Sequence, residues 1–221
     1  MATAGPIRYR MMTLDDVARI PISCQGSVLE IEARIRDLVG AAVLGFDRDQ
    51  HVAQLQFRRY ARDLRSPRGL WDPAYWGDFG EQAPRLSEKT LSVFCYHVGQ
   101  LDETERRETQ YQGRGIGLQL LDYLVSWATD SGFEYIVAKA TPADRRVMSF
   151  MGGQPVSAYL QRGFDVAASW IDQQLREVVG EKSLVSPDES LDDAARISCC
   201  VKRLDVSTVG GREHGVRTFN G

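Results

Sequence analysis

The sequence predicts a single α/β domain with a sheet flanked by helices, and three observations carry that prediction. The chain has 221 residues, enough to bury one full core without disulfide or metal staples. Its composition, 43% hydrophobic with 26% charged residues, is that of an ordinary globular domain. Short β-rich runs alternate along it with apolar stripes at helical spacing, giving successive strand, loop, helix and strand units.

Ile7 to Met11 is the first strand-like run, and Thr13-Leu-Asp-Asp16 follows with an N-cap and a carboxylate three residues on, so a helix is expected there. Ser27-Val-Leu-Glu30 repeats that signature before Ile31, Ile35 and Leu38, whose spacing of four and three marks one buried helical stripe. Residues 41 to 46 and 51 to 57 flank a polar turn, and Ala53, Leu55 and Phe57 alternate with Gln54 and Gln56. That pattern predicts a hairpin with one face in the core. Residues 61 to 90 show neither period, hold Pro67, Pro73 and Pro84, and carry Trp71, Tyr75, Trp76 and Phe79; so long an irregular stretch is usually functional or mobile. Leu91 to Val98 is a third β-rich run, followed by a charged surface excursion over residues 101 to 109.

Ile116, Leu120, Leu124 and Trp127 mark one face of a helix that Gly132 ends, before a strand over residues 133 to 140. Residues 143 to 151 read as helical, Gly152-Gly-Gln-Pro155 interrupts, residues 156 to 162 resume, and Gly163 closes the helix before a strand over 164 to 171. A helix over 173 to 179, a polar linker and a last strand over 197 to 204 complete the domain. Residues 1 to 6 and 205 to 221 are expected to be flexible termini around a domain of residues 7 to 204.

The charge balance, 27 Lys+Arg against 30 Asp+Glu for a net −3, lacks the basic field that nucleic-acid binding favours. The longest nearly uninterrupted apolar run, Leu38 to Phe46, is nine residues, about half of what a membrane-spanning helix needs. The N-terminus has no basic region followed by an apolar core, so no secretory signal is read and a cytoplasmic location is expected. Cys24, Cys95, Cys199 and Cys200 form no C-x-x-C pair and no metal-ligand spacing with the three histidines. They read as reduced thiols, and no metal is expected.

The chemistry-bearing stretch is Tyr111-Gln-Gly-Arg-Gly-Ile-Gly117, which opens an amphipathic helix. Glycines at 113, 115 and 117 leave backbone N–H groups uncovered, and at a helix N-terminus those amides suit a diphosphate. The spacing fails the dinucleotide fingerprint, since Leu118 stands three after Gly115, and no Gly-Lys-Ser/Thr follows for a triphosphate loop.

In these residues the chain resembles the GNAT acetyltransferase superfamily, whose acetyl-CoA loop reads Gln/Arg-x-x-Gly-x-Gly/Ala; Gln112, Gly115 and Gly117 stand at its defining positions. Tyr159-Leu-Gln-Arg-Gly163-Phe164 is similar to that family's Tyr-x-x-x-Gly-Phe element, and the order of strands and helices fits from about Ile7 to Leu204. The resemblance implies a mixed, largely antiparallel, centrally splayed sheet, with residues 61 to 90 and 101 to 109 as insertions. It implies an N-acetyltransferase that uses acetyl-CoA as cosubstrate and no metal, acting on a small-molecule or peptide amine, with the oligomeric state left open and a homodimer among the options. Gln112, Gly113, Arg114, Gly115, Ile116 and Gly117 would hold the diphosphate, and the backbone near Val98 would pair with the pantetheine arm. Tyr159 would protonate the leaving thiolate, and His97 is the candidate base for the acceptor amine, whose neutral fraction at pH 7 is about one in a thousand for a lysine-like pKa.

Each of these has a plainer reading: a structural turn for the glycines, core packing for Tyr159 and His97, and a solvated face for Arg106 and Arg107. The aromatics of the long loop either pack it onto the sheet or line an acceptor pocket, with Asp72, Asp78 and Glu81 beside them to attract a cationic amine. Two other activities stay open: a non-catalytic acyl-CoA sensor and a transferase of longer acyl groups. The family often has an asparagine where this chain has Gly152-Gly-Gln-Pro155.

Overall fold

Ser27 caps the first helix as its residues predict. Its Oγ accepts from the Glu30 amide, and the Glu30 carboxylate accepts from the Ser27 N–H at 2.7 Å, so two otherwise orphaned donors are satisfied at the start of α1 (Val28–Leu38). Ile31, Ile35 and Leu38 are its buried face. The computed structural model describes residues 5–21, 26–65, 78–104 and 106–205. They form two compact units, the first from the described parts of Met1–Arg58, Tyr96–Phe133 and Asp205–Gly221, the second from Arg59–Cys95 and Glu134–Leu204.

In the first unit β1 (Ile7–Met11), β2 (Ala42–Asp47) and β3 (Gln50–Arg59) are antiparallel neighbours in that order. Met12, Val17, Ile20, Ile31, Ile35, Ala42 and Leu44 make the core beneath α1. The helix α2 (Ile116–Asp130) packs on β1 and β2, where the Tyr9 hydroxyl donates to Gln119 Oε1 at 2.7 Å, and Trp127 lies 5.5 Å from Phe57.

Two local expectations fail here for identifiable reasons. The helix expected after Thr13 is a single 3-10 turn, Leu14–Asp16. The Asp16 carboxylate does return to the Thr13 N–H at 2.8 Å, but the Arg10 guanidinium also grips it through two contacts of 2.6 Å, and Pro21 disfavours the helical conformation at Ile20. The hairpin does not keep one face in solvent: Gln54 and Gln56 are both buried, and Gln54 Nε2 donates to the Pro21 carbonyl at 3.0 Å. The segment after the 3-10 turn covers the face that alternation assigns to water.

The second unit holds the first six residues of β4 (Thr90–Val98), with β5 (Tyr135–Ala140), β6 (Asp165–Ile171) and β7 (Arg196–Arg203) in the order β4-β5-β7-β6. The β4–β5 pair is parallel, and β5–β7 and β6–β7 are antiparallel. Its helices are α3 (Arg145–Met151), α4 (Val156–Leu160), α5 (Gln173–Glu181) and α6 (Leu191–Ala194). The last, a four-residue turn capped by Ser190, falls in the expected polar linker. Seven strands of mixed direction with flanking helices are the predicted class.

Candidate functional site

The glycine loop is delivered by the end of β4. After Val98, Gly99 donates its N–H to the Val52 carbonyl at 2.7 Å and accepts from the Glu108 N–H at 2.8 Å, and Gln100 bridges Arg107. The charged excursion is therefore pinched off at its base, and the chain re-emerges beside the strand it left. A 3-10 turn over Thr109–Tyr111 then leads into Gln112. Gly99 has φ +81°, and a Cβ there would stand 2.6 Å from the Glu108 carbonyl oxygen. Gly99→Ala is expected to cost more than about 2 kcal/mol, because left-handed strain adds to a backbone clash that no side chain can relieve. A urea midpoint unchanged from wild type would contradict this.

Gly113 and Gly115 have φ +70° and +71°, and Gly115 is the N-cap of α2. A Cβ at either would meet no atom within 4 Å. Neither glycine is demanded by close packing; the left-handed backbone accounts for both, and both face open space. Among the described residues, the N–H groups from Gly113 to Gly117 donate to no backbone carbonyl, whereas Leu118 and Gln119 already turn back to Gly115. Five consecutive amides without a backbone acceptor, at a helix N-terminus, are donors of the kind that could hold an anion. Arg114 is engaged with the chain: Nη2 donates to the Gly5 carbonyl at 3.1 Å, and its guanidinium lies 5.9 Å from the Tyr111 ring centroid. The Tyr111 hydroxyl in turn donates to Asp47 at 3.3 Å.

His97 is buried on β4, 5% exposed, and Val98 is half-buried. Close to His97 stands His51 of β3, edge-on to Phe46 at 5.7 Å; sequence reading took it only as part of the hairpin. Burial pushes the His51 imidazole down to about 4, with Asp16 opposing and both His97 and Arg10 adding to the fall. The unfolded chain protonates this residue near the ordinary value of 6.5, so between the two values it binds more protons than the folded state. Stability is then expected to drop from pH 6.5 toward pH 4 by up to about 3 kcal/mol. Urea midpoints across that range check this, and His51→Leu should flatten the profile.

In the second unit Tyr159 sits in α4, 1% exposed, with its ring 5.2 Å from that of Phe164 at 63°. Gly163 has φ +71° and lets the Phe164 N–H close back on the Tyr159 carbonyl at 3.2 Å, so the Tyr and Phe of the element meet. Gly152 ends α3 in the left-handed region, and Gly153 lies against the Thr141 side chain with no room for a Cβ, which gives this interruption a packing reason. The parallel β4–β5 register runs from Thr90–Tyr135 to Val93–Ala138 and stops, while β5 continues two residues further, still paired to β7. This is the expected splay.

Of the long insertion, Trp71, Asp72, Tyr75 and Trp76 lie outside the described residues. Phe79 packs with Ala83, Val137 and Cys199, the plainer of its two readings. Asp78 accepts from the Gly80 N–H at 2.8 Å, and Glu81 is exposed. No group of three or more His, Cys, Asp or Glu among the described residues is placed to hold a metal ion, and no described helix is long and apolar enough to cross a membrane.

No protein-family model matches the chain, and no curated protein matches it in sequence. Solved structures do. A GNAT superfamily phosphinothricin acetyltransferase of Sinorhizobium meliloti, in complex with acetyl-CoA, aligns with a TM-score of 0.52 at 13% identity over 96% of either chain. A chain of the NatC complex bound to Gag peptide and CoA gives 0.51 at 11%, covering 91% of this chain and 100% of that one. The yncA protein of Salmonella typhimurium, with acetyl-CoA, gives 0.50 at 15%, covering 93% and 98%. The chain has the GNAT fold.

The sequence singled out the loop, Val98, His97 and Tyr159; the structure adds a buried charged side chain on β5, Lys139. This lysine is the first residue of β5 beyond its last pair with β4, and it is 8% exposed. Its signal was a lone cation inside the apolar run Tyr-Ile-Val-Ala-Lys-Ala.

Proposed function

We propose that this chain is an acyl-CoA-dependent N-acetyltransferase, and the amide cradle from Gly113 to Gly117 on a GNAT fold is the observation that carries the reading. Acetyl-CoA supplies an activated thioester, and solved proteins of this fold hold acetyl-CoA, or CoA together with a peptide. The chain's own part is positioning. The amides of Gly113, Arg114, Gly115, Ile116 and Gly117, led by Gln112, bind the diphosphate. The backbone near Val98 aligns the pantetheine arm, so that effective concentration is the main gain. Tyr159 donates its hydroxyl proton to the departing thiolate, and His97 takes the proton of the acceptor ammonium. Residues 7 to 204 would be the catalytic domain, with the acceptor a small-molecule or peptide amine.

Acceptor-dependent release of CoA thiol, measured over a panel of primary amines and peptides, tests this. The packing of Tyr159 on Phe164 favours one competitor, a sensor that binds acyl-CoA without turnover. Binding with no release on any amine would select the sensor. Affinities for acetyl-, propionyl- and succinyl-CoA decide the acyl length, which a diphosphate cradle does not report.

A further inference from the structure

We infer that the face of β3 carrying His51, Gln54 and Gln56 is the wall that recognises the acceptor, and that it selects an amine bearing an amide group, read by the Gln56 carboxamide. The inference rests on the acyltransferase reading and names the acceptor class which that reading leaves open. The β2–β3 register puts the three side chains on one face, since His51 stands opposite Phe46, Gln54 opposite Leu44 and Gln56 opposite Ala42. That is the face that α1 covers: Ala42 and Leu44 share a core with Ile31 and Ile35, and Phe46 packs against it. The row, His97 and the glycine loop all belong to the first unit. His97 acts electrostatically on His51, so the row ends beside the candidate base.

A strand face buried under a helix is ordinarily apolar. Here Gln54 and Gln56 are fully buried, and His51 is 9% exposed. Gln54 is accounted for by its bond to the Pro21 carbonyl at 3.0 Å. Gln56 is not: among the described residues neither its Nε2 nor its Oε1 has a hydrogen-bond partner. The same holds for both ring nitrogens of His51, near which the Ala53 backbone stands outside hydrogen-bond geometry. An unpaired buried amide is costly to keep, and a chain that keeps one on a core face, where leucine would pack, does so at a place that something else completes.

The chemistry of the row selects the partner. A carboxamide presents donor hydrogens and an acceptor oxygen together, and a second amide answers both at once. The far end of a diamine offers donors alone and a carboxylate acceptors alone, and each would bring a charge that the row does not balance. Burial pushes the His51 imidazole down to about 4, which leaves it uncharged at neutral pH. The Asp16 carboxylate is engaged by the Arg10 guanidinium through two contacts of 2.6 Å. At the His51 end the cover thins, since Phe46 and Arg10, whose guanidinium lies 4.7 Å from the Phe46 ring centroid, are half-buried.

The test measures acceptor-dependent release of CoA thiol for paired amines, each an amino amide beside the alkylamine of the same length, with a diamine as third arm. Wild type and Gln56→Leu are compared, with calorimetry of acetyl-CoA binding and urea midpoints alongside. In the wild type, kcat/KM per neutral amine is expected to be at least about tenfold higher for the amide member of a pair. Gln56→Leu should erase that preference by raising KM for the amide while acetyl-CoA affinity is kept; both proteins meet the same amines, so the amines' own pKa values cancel. Its urea midpoint should hold or rise, because an unpaired buried amide is removed. Gln56→Met gives the same comparison should Gln56→Leu not fold. A wild type without the preference, or a preference that survives the substitutions, overturns the assignment and leaves the acyltransferase reading standing. If acetyl-CoA does not bind, or binds and no amine releases thiol, the acyltransferase reading fails and this proposal falls with it.

Discussion

Gly115→Glu is expected to weaken acetyl-CoA binding at least about 100-fold, equivalent to about 3 kcal/mol, while the protein stays folded. The expectation follows from two properties of the position. A Cβ at Gly115 meets nothing within 4 Å, so the new side chain creates no packing clash, and its cost is the left-handed backbone alone, about 1–2 kcal/mol. The carboxylate nevertheless extends from the loop that supplies the amides, where it would oppose a diphosphate by bulk and by charge. Gly115→Asn is the control, since asparagine tolerates positive φ and carries no charge. It should keep the fold and most of the affinity. Equal affinity in Gly115→Glu and wild type would mean that the loop is a turn and nothing more.

Tyr159→Phe is expected to lower acceptor-dependent thiol release by about 10²–10⁴, the usual consequence of removing a general acid, with acetyl-CoA affinity unchanged. The substitution removes only the hydroxyl and keeps the ring that packs at 5.2 Å on Phe164, so the α4 contact survives. A split in which turnover falls and binding does not is the signature of proton donation. Turnover at the wild-type rate would assign Tyr159 to packing, consistent with its 1% exposure.

What the sequence made legible was whatever local chemistry determines. The Ser27 box and the stripe Ile31, Ile35 and Leu38 specify α1 because cap and stripe agree. The start of α2 was equally legible, since left-handed glycines at 113 and 115 precede its apolar stripe. Tertiary cover was not: alternation marks Gln54 and Gln56 as the second face of a strand and cannot say that the chain near Pro21 lies over it. The turn after Thr13 stops early because Arg10, from a neighbouring element, claims Asp16. The excursion over residues 101 to 109 read as a charged surface segment, and only the structure shows its base closed by Gly99 onto Glu108. The burial of Lys139 was illegible for the same reason. A lysine in a short strand reads as an edge residue until the pairing on both sides of β5 is known.

The central claim, that this chain binds an acyl-CoA through its glycine loop, is met most directly by calorimetric titration of acetyl-CoA into the purified wild-type protein. Saturable binding of one acetyl-CoA per chain, in the micromolar range and competed by CoA, is the predicted result. No heat beyond dilution from a folded protein would contradict it and leave the loop as a turn at the start of α2.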